Sequence, residues 1–226
     1  MKLYGHPWSL NTRKVLATFA EKDHEPTLSV VMLPAGEHKQ PAYLQIHPFG
    51  VVPALDDDGF VLHEARAICA YVDAVLPGPR LVPQAARERA RMDQWVNIAD
   101  AYFVPHATPV ILETLFRQFL GGEVDRAAIA RGREGMQRAL DELDRQLGHG
   151  PFIAGDAFTL ADVHWMSYLE YLARIGDAAA IQSRPNVRAW WERVAARPAW
   201  ERVARTGPQP WDPVVAADVV ARLRAR

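Results

Sequence analysis

The residue of this sequence best suited to chemistry is a serine near the amino terminus. Ser9 lies within residues 6–13, HPWSLNTR, directly before apolar residues at helical spacing. The first turn of a helix has unpaired backbone N–H groups and the positive end of the helix dipole, so an anion there, including a thiolate, is stabilised. A hydroxyl at that position can donate a hydrogen bond to the anion. Alternatively, Ser9 or Asn11 only caps the helix, and the local sequence leaves both interpretations open.

Two other features could belong to a site. Residues 50–55, GVVPAL, place Pro53 at the start of a predicted strand. A cis bond there would present the preceding backbone to a ligand, although a trans proline fits the local sequence equally well. Cys69, the only cysteine, lies inside an apolar helical pattern and is expected to be a small buried hydrophobe. Because burial raises the pKa of a thiol, Cys69 is not expected to be a nucleophile.

Several other functions find no support in the sequence. The eight histidines form no H-E-x-x-H motif or close cluster with cysteine, so no metal site is predicted. The motifs of serine hydrolases, nucleotide phosphate loops and dinucleotide sites are absent. The 26 basic and 27 acidic residues give a net charge of −1, which does not favour binding to nucleic acid or an anionic membrane. Without a long apolar run or an apolar signal segment, the chain is expected to be cytoplasmic.

The elements that must position Ser9 divide the 226 residues into two parts. Residues 1–76 have a β-α-β pattern, then a hairpin across Asp58-Gly59, then a helix, which predicts a small α/β domain with one sheet. Residues 77–86 contain three prolines and are predicted to be a linker. Residues 87–226 have helical periodicity almost throughout and are predicted to be an all-α domain.

Local signals within the helical part predict where two of its helices bend or begin. Pro105 and Pro109 interrupt an apolar stripe and are expected to kink or divide that helix. Thr159 precedes Asp162 by three residues, which is the spacing of a reciprocal capping box. A helix is therefore expected to begin at Thr159.

Four motifs occur in a fixed order in the first part. They are Gly5-His6-Pro7-x-Ser9-x-x-Thr12-Arg13, Gly36-Glu37-His38-Lys39, Pro48-Phe49-Gly50-x-Val52-Pro53-Ala54 and Glu64-x-Arg66-Ala67-Ile68. With Phe152-x-x-Gly155-Asp156-x-x-Thr159-x-Ala161-Asp162 in the helical part, they resemble the glutathione transferases, in particular the phi class, over essentially the whole chain. The resemblance implies a thioredoxin-like domain followed by an all-helical domain, glutathione as co-substrate, and a homodimer.

The resemblance also implies roles for individual residues. Ser9 would donate a hydrogen bond to the glutathione sulfur. The glutathione contacts would be His38 and Lys39 at the glycyl carboxylate, the backbone of Val52 presented by a cis Pro53, and Glu64 at the γ-glutamyl amine. Independently of the resemblance, the backbone N–H groups of Ala65 and Arg66 at a helix start can hold the γ-glutamyl carboxylate. A hydrophobic electrophile would occupy a cleft between the domains, built by Trp8, Leu33, Leu112 and Phe116. For Leu112 and Phe116, an ordinary place in the helical core is an equally good interpretation.

The energy needed to form a thiolate is consistent with the role of Ser9. A free thiol has a pKa of about 8.5, and lowering it by about 2 units requires about 2.7 kcal/mol of preference for the anion. One hydrogen bond to a charged group supplies about 1.5–3 kcal/mol and a helix end about 0.3–1 kcal/mol. A hydroxyl at a helix start is therefore sufficient, and no general base is required.

Two positions depart from the family pattern. Val51 stands where the family commonly has glutamine, and Ala65 where it has serine or threonine. Each missing hydrogen bond to a charged group is expected to weaken glutathione binding by about tenfold to a hundredfold. We therefore predict weak glutathione binding rather than none.

Other functions are compatible with the same site. Glutathione-dependent peroxide reduction, dehalogenation or isomerisation would use the same thiolate, and the sequence does not distinguish them. Val51 and Ala65 also allow a non-catalytic binding protein with the transferase fold. The hypothesis carried forward is a glutathione transferase that conjugates hydrophobic electrophiles.

Overall fold

The computed structural model describes residues 1–207, 209, 210 and 212. These residues form two compact units. The first consists of Met1–Arg80 together with the described residues from Pro198 onward, and the second of Leu81–Arg197. The first unit contains a sheet with helices, and the second consists of helices. The predicted fold class, a thioredoxin-like α/β domain followed by an all-helical domain, is confirmed.

A mixed sheet of four strands organises the first unit. The strands are β1 (Lys2–Gly5), β2 (Thr27–Val30), β3 (Ala54–Asp57) and β4 (Phe60–His63), in the order β2-β1-β3-β4. Strand β1 is parallel to β2 and antiparallel to β3, and fully buried Leu3 lies opposite Leu55. The predicted hairpin joins β3 to β4, with Asp58 and Gly59 at positive φ. The hairpin is therefore formed by the residues that favour such a turn.

The helices follow the predicted periodicity closely. They are α1 (Leu10–Glu21), α2 (Pro41–Leu44), α3 (Ala65–Val75), α4 (Ala86–Ile98), α5 (Val104–Ile111), α6 (Arg117–Leu120), α7 (Arg126–Gly135), α8 (Gln137–Leu147), α9 (Leu160–Arg174), α10 (Ala179–Gln182), α11 (Pro185–Ala195) and α12 (Pro198–Ala204). Helix α9 is the centre of the second unit, since every residue from Leu160 to Leu172 is buried. Among the described residues, no helix combines the length and the apolar character needed to cross a membrane.

Two π-helical turns divide the long helix that contains Pro105 and Pro109. Ala99–Phe103 and Leu112–Phe116 are π-helical, and α5 between them contains Pro105 and Pro109. Proline has no N–H to donate, so the regular ladder of hydrogen bonds is interrupted there. The predicted interruption is confirmed, and the sequence did not specify its π-helical form.

Helix α9 begins with the predicted capping box. The Thr159 N–H donates to Asp162 Oδ2 at 2.8 Å, and the Ala161 N–H donates to Thr159 Oγ1 at 3.2 Å. Asp162 is fully buried, and its Oδ1 also accepts from the Ile153 N–H at 3.0 Å and from Trp190 Nε1 at 2.8 Å. One carboxyl group therefore joins the start of α9, the segment before it and α11.

A buried ion pair links the helices that pack beneath the sheet. Lys22 Nζ, at the end of α1, lies 2.7 Å from Asp73 Oδ1 of α3, and both side chains are 1% exposed. The same ammonium donates to the Pro79 carbonyl oxygen at 2.7 Å. The pair therefore joins α1, α3 and the chain segment that follows α3.

Helix α12 does not belong to the helical unit, although the predicted boundaries of 1–76, 77–86 and 87–226 place it there. Helix α12 packs against α1 and belongs to the first unit. The reason is the burial of Trp200, whose ring lies 5.4 Å from the guanidinium of buried Arg13. Arg202 of α12 also pairs with Asp23 at 2.8 Å. The last part of the predicted helical domain, residues 208, 211 and 213–226, lies outside the described residues.

Candidate functional site

Ser9 is the N-cap of α1. It has extended backbone angles, and its hydroxyl oxygen accepts a hydrogen bond from the Thr12 N–H at 3.3 Å. The hydroxyl therefore uses a lone pair for the cap, and its proton has no acceptor among the described residues. The first turn of α1 has no acidic residue. Ser9 therefore caps the helix, and its proton could be donated to an anion at the helix end.

The histidine that precedes Ser9 is only a weak base. His6 is 5% exposed, and burial lowers its pKa to about 4, so its imidazole is neutral near pH 7. Its Nδ1 already accepts from the Trp8 N–H at 3.1 Å. A Cβ on Gly5 would come within 2.7 Å of the Thr12 side chain, so only glycine permits this approach of β1 to α1. The end of strand β1 therefore packs closely against the start of helix α1.

The segment before β3 presents a backbone group. The Val52–Pro53 peptide bond is cis, as the resemblance implies. The Val52 side chain is buried, yet the Val52 backbone makes no hydrogen bond to any other described residue. The Val51 carbonyl oxygen, in contrast, accepts from the Tyr43 hydroxyl at 2.8 Å. The Val52 N–H and C=O are therefore available to a ligand with a peptide backbone.

Glu64 has an unusual backbone conformation at the start of α3. Its φ of 73° and ψ of 113° lie outside the regions that side chains other than glycine favour. Such a conformation costs about 1–3 kcal/mol and is typical of functional sites. The carboxylate is exposed and does not cap the helix. The first turn, beginning at buried Ala65, has backbone N–H groups without intrahelical partners, so a cationic and an anionic group could both be held there.

His38 and Lys39 lie on a short helical turn, Glu37–Lys39. His38 is half-buried, its Nδ1 has no partner, and burial lowers its pKa below the usual range. Lys39 is exposed, and its Nζ donates to the Phe49 carbonyl oxygen at 3.2 Å. A Cβ on Gly50 would lie 2.7 Å from the His38 carbonyl oxygen, so the turn packs against the segment before Val52. The side chains of His38 and Lys39 could therefore bind an anionic group.

The four residues assigned to the electrophile lie in both units. Trp8 is 4% exposed and Leu33 is half-buried, both in the first unit. In the second unit, Leu112 and Phe116 are the ends of a π-helical turn, where Leu112 is 40% exposed. The Phe116 ring is half-buried and stacks on Tyr171 at 5.9 Å. Phe116 is therefore partly a core residue, and Leu112 is the more accessible of this pair.

Cys69 is a buried residue, as predicted. Burial raises the pKa of its thiol to about 11. Among the described residues, no group of three or more side chains could hold a metal ion.

The sequence analysis did not identify Tyr43 as a residue that contacts the segment before β3. A signal was present, because a tyrosine at an apolar position needs a partner for its hydroxyl.

Comparison with known proteins agrees with this arrangement. A family model described as the glutathione S-transferase N-terminal domain matches residues 8–75, which contain Ser9, Val52 and Glu64. A second, described as the C-terminal domain of the same family, matches residues 99–198. The two models together span most of both units.

Individual relatives match over nearly their full length. Glutathione S-transferase 3 of Zea mays is 37% identical over 216 residues, which are 94% of this chain and 97% of the relative. The crystal structure of glutathione transferase F7 from Populus trichocarpa has a TM-score of 0.85 and 35% identity, covering 90% of this chain and 97% of that one. Glutathione S-transferase I from maize, solved with an atrazine–glutathione conjugate, has a TM-score of 0.83 and 29% identity, covering 94% and 98%. The chain therefore belongs to the glutathione S-transferase family, within which it resembles the plant phi class.

Proposed function

We propose that this protein transfers glutathione to hydrophobic electrophiles and that Ser9 favours the glutathione thiolate. The observation that carries the proposal is the double use of the Ser9 hydroxyl, which accepts from the Thr12 N–H and keeps its proton available. That proton and the start of α1 together supply about the 2.7 kcal/mol that lowers a thiol pKa by about 2 units. The low pKa of His6, about 4, makes its imidazole a weak base, which supports a mechanism without a general base. The thiolate then attacks the electrophilic carbon and the leaving group departs.

Glutathione is proposed to bind to residues of the first unit. Val52 would pair its free backbone groups with the cysteinyl residue, next to Pro53. Glu64 would hold the γ-glutamyl ammonium, and the N–H groups at Ala65 the γ-glutamyl carboxylate. His38 and Lys39 would meet the glycyl carboxylate. Glu64 and Lys39 carry charges opposite to those of the γ-glutamyl ammonium and the glycyl carboxylate, and Val52 offers both of its backbone groups, which supports binding despite the apolar side chains at Val51 and Ala65.

The electrophile is proposed to contact Trp8, Leu33, Leu112 and Phe116. All four side chains are apolar or aromatic, which favours an apolar molecule. The maize relative solved with an atrazine–glutathione conjugate supports an aromatic electrophile with a leaving group. No residue of this set supplies a charge, so recognition would depend on shape and apolar area.

Replacing Ser9 with alanine is expected to slow conjugation of a chromogenic aryl halide by at least about tenfold, because the hydrogen bond to the thiolate is lost. The measurement is the initial rate at saturating glutathione, together with calorimetric binding of glutathione, which should change little. Ser29→Ala, in β2 of the same unit, is the matched control and should keep the wild-type rate.

An unchanged rate in Ser9→Ala would exclude Ser9 and direct attention to Asn11 and Thr12. If the folded wild-type protein gave no heat with millimolar glutathione, transfer of glutathione would be excluded altogether. Retention on immobilised glutathione without conjugation of any electrophile would instead favour a binding protein.

We also propose that the protein acts as a homodimer. The exposed apolar side chains of the first unit, which include Phe49 at 70% and Phe60 at 52%, support association. Sedimentation is expected to give twice the mass of one chain, and a single species of monomer mass would contradict the proposal. A cytoplasmic location stays a prediction of the sequence.

A further inference from the structure

One tyrosine donates a hydrogen bond to the segment that carries Val52. Tyr43 belongs to the four-residue helix α2 and is 6% exposed. Its hydroxyl donates to the Val51 carbonyl oxygen at 2.8 Å. Its ring belongs to the same buried cluster as the side chains of Val31 and Val52. Tyr43 therefore bonds to Val51 and shares a buried cluster with Val52.

The geometry of a peptide bond transmits this contact to Val52. The Val51 C=O and the Val52 N–H belong to one planar group, and in the trans form they point in opposite directions. A hydrogen bond that fixes the carbonyl oxygen therefore also fixes the direction of the N–H. Because the carbonyl is polarised by the donated bond, the N–H also becomes a somewhat better donor.

We infer that Tyr43 is a positioning residue for glutathione, which orients the Val52 N–H toward the cysteinyl backbone through its hydrogen bond to the Val51 carbonyl. The inference rests on the proposed function, since it concerns how that site is organised. It also addresses the departure at Val51, whose apolar side chain cannot supply a polar contact. In this chain the hydrogen bond from Tyr43 fixes the orientation of the peptide group between Val51 and Val52.

The Tyr43 hydroxyl is a donor near neutral pH, and neighbouring residues hold the same segment. Burial raises the pKa of Tyr43 to about 12, so its hydroxyl stays protonated near neutral pH. The His47 ring stacks on Tyr43 at 6.5 Å, and the Gly50 N–H donates to the His47 carbonyl oxygen at 2.8 Å. The segment from His47 to Val51 is thus held at both ends, with the tyrosine hydroxyl at the end next to Val52.

The test is Tyr43→Phe, which retains the ring and removes only the hydroxyl. Tyr71→Phe is the matched control, because the Tyr71 hydroxyl donates to Asp57 Oδ2 at 2.7 Å in the same unit, away from Val52. Calorimetry is expected to give a glutathione dissociation constant about threefold to tenfold higher for Tyr43→Phe and an unchanged one for Tyr71→Phe. The KM for glutathione should rise by the same factor, while kcat at saturating glutathione stays at the wild-type value.

The possible outcomes test the inference and the proposed function separately. If the wild type binds glutathione and Tyr43→Phe binds it equally well, the inference is wrong and the proposed function stands. If kcat falls and KM does not, Tyr43 does not act through binding, and the inference is also wrong. If the wild type itself binds no glutathione, the proposed function fails and the inference with it. Thermal unfolding of both variants shows whether a loss of affinity arises from a loss of fold.

Discussion

Replacing Asp73 with alanine is expected to lower the free energy of unfolding by about 3–5 kcal/mol. The Lys22 ammonium would stay buried at 1% exposure without its carboxylate and would keep only the Pro79 carbonyl oxygen as an identified partner. A buried charge that loses its counter-ion costs far more than the pair itself contributes, because the desolvation energy is no longer compensated. Urea or thermal unfolding of the purified variant measures the change.

An exposed ion pair provides the control for this prediction. Arg145 and Glu142 pair on the surface of α8 at 2.5 Å, with side chains 66% and 50% exposed. Because water screens such a pair, Glu142→Ala is expected to change the unfolding free energy by no more than about 1 kcal/mol. The double variant Lys22→Met/Asp73→Leu, which removes both charges, should recover much of the loss of Asp73→Ala. Equal effects at Asp73 and Glu142 would show that burial does not determine the cost.

Asp162→Ala is expected to destabilise the second unit by at least about 3 kcal/mol at pH 7. The substitution leaves four buried donors without this acceptor: the N–H groups of Ile153 and Thr159, the Thr159 hydroxyl and the indole Nε1 of Trp190. Each such donor costs about 1–3 kcal/mol. Thr159→Ala, which removes the cap and one hydroxyl bond to Asp162, should cost about 1 kcal/mol. Comparing the two variants separates the capping box from the wider network.

The effect of Asp162 should also depend on pH. Burial raises its pKa from the ordinary 3.8 to about 6, although the surrounding donors oppose this. The stability that this raised pKa contributes is fully present below pH 3.8 and is lost as pH rises through about 6. The difference in unfolding free energy between wild type and Asp162→Ala should therefore narrow from pH 4 to pH 7. A difference that widens over that range would mean that hydrogen bonding outweighs burial at this carboxyl.

The sequence predicted the features that depend on local patterns. The β3–β4 hairpin follows from Asp58-Gly59, and the start of α9 follows from the spacing of Thr159 and Asp162, because each turn or cap is formed by neighbouring residues. The position of Ser9 at a helix start could be predicted for the same reason. These features need no information about the rest of the chain.

Features that depend on distant residues were less accessible. Periodicity marks α12 as helical, but it does not specify that Trp200 packs against Arg13 rather than within the second unit. The bond from Tyr43 to Val51 joins residues eight positions apart across a loop, which no repeat reveals. The π-helical turn at Leu112–Phe116 likewise depends on how the divided helix packs. Tertiary contacts determine these details, and propensity does not.

The burial of Cys69 has a practical consequence for measuring this protein. Thiol reagents and the ultraviolet absorbance of thiolates usually report every reactive sulfur of a protein at once. Here the only cysteine of the chain is inaccessible, and its pKa of about 11 keeps it protonated near neutrality. Any thiolate signal that develops between pH 5 and pH 8 on adding glutathione therefore belongs to glutathione, and subtracting the signal of free glutathione at the same pH leaves that of the bound peptide. The ionisation of that sulfur can be titrated directly in the unmodified protein.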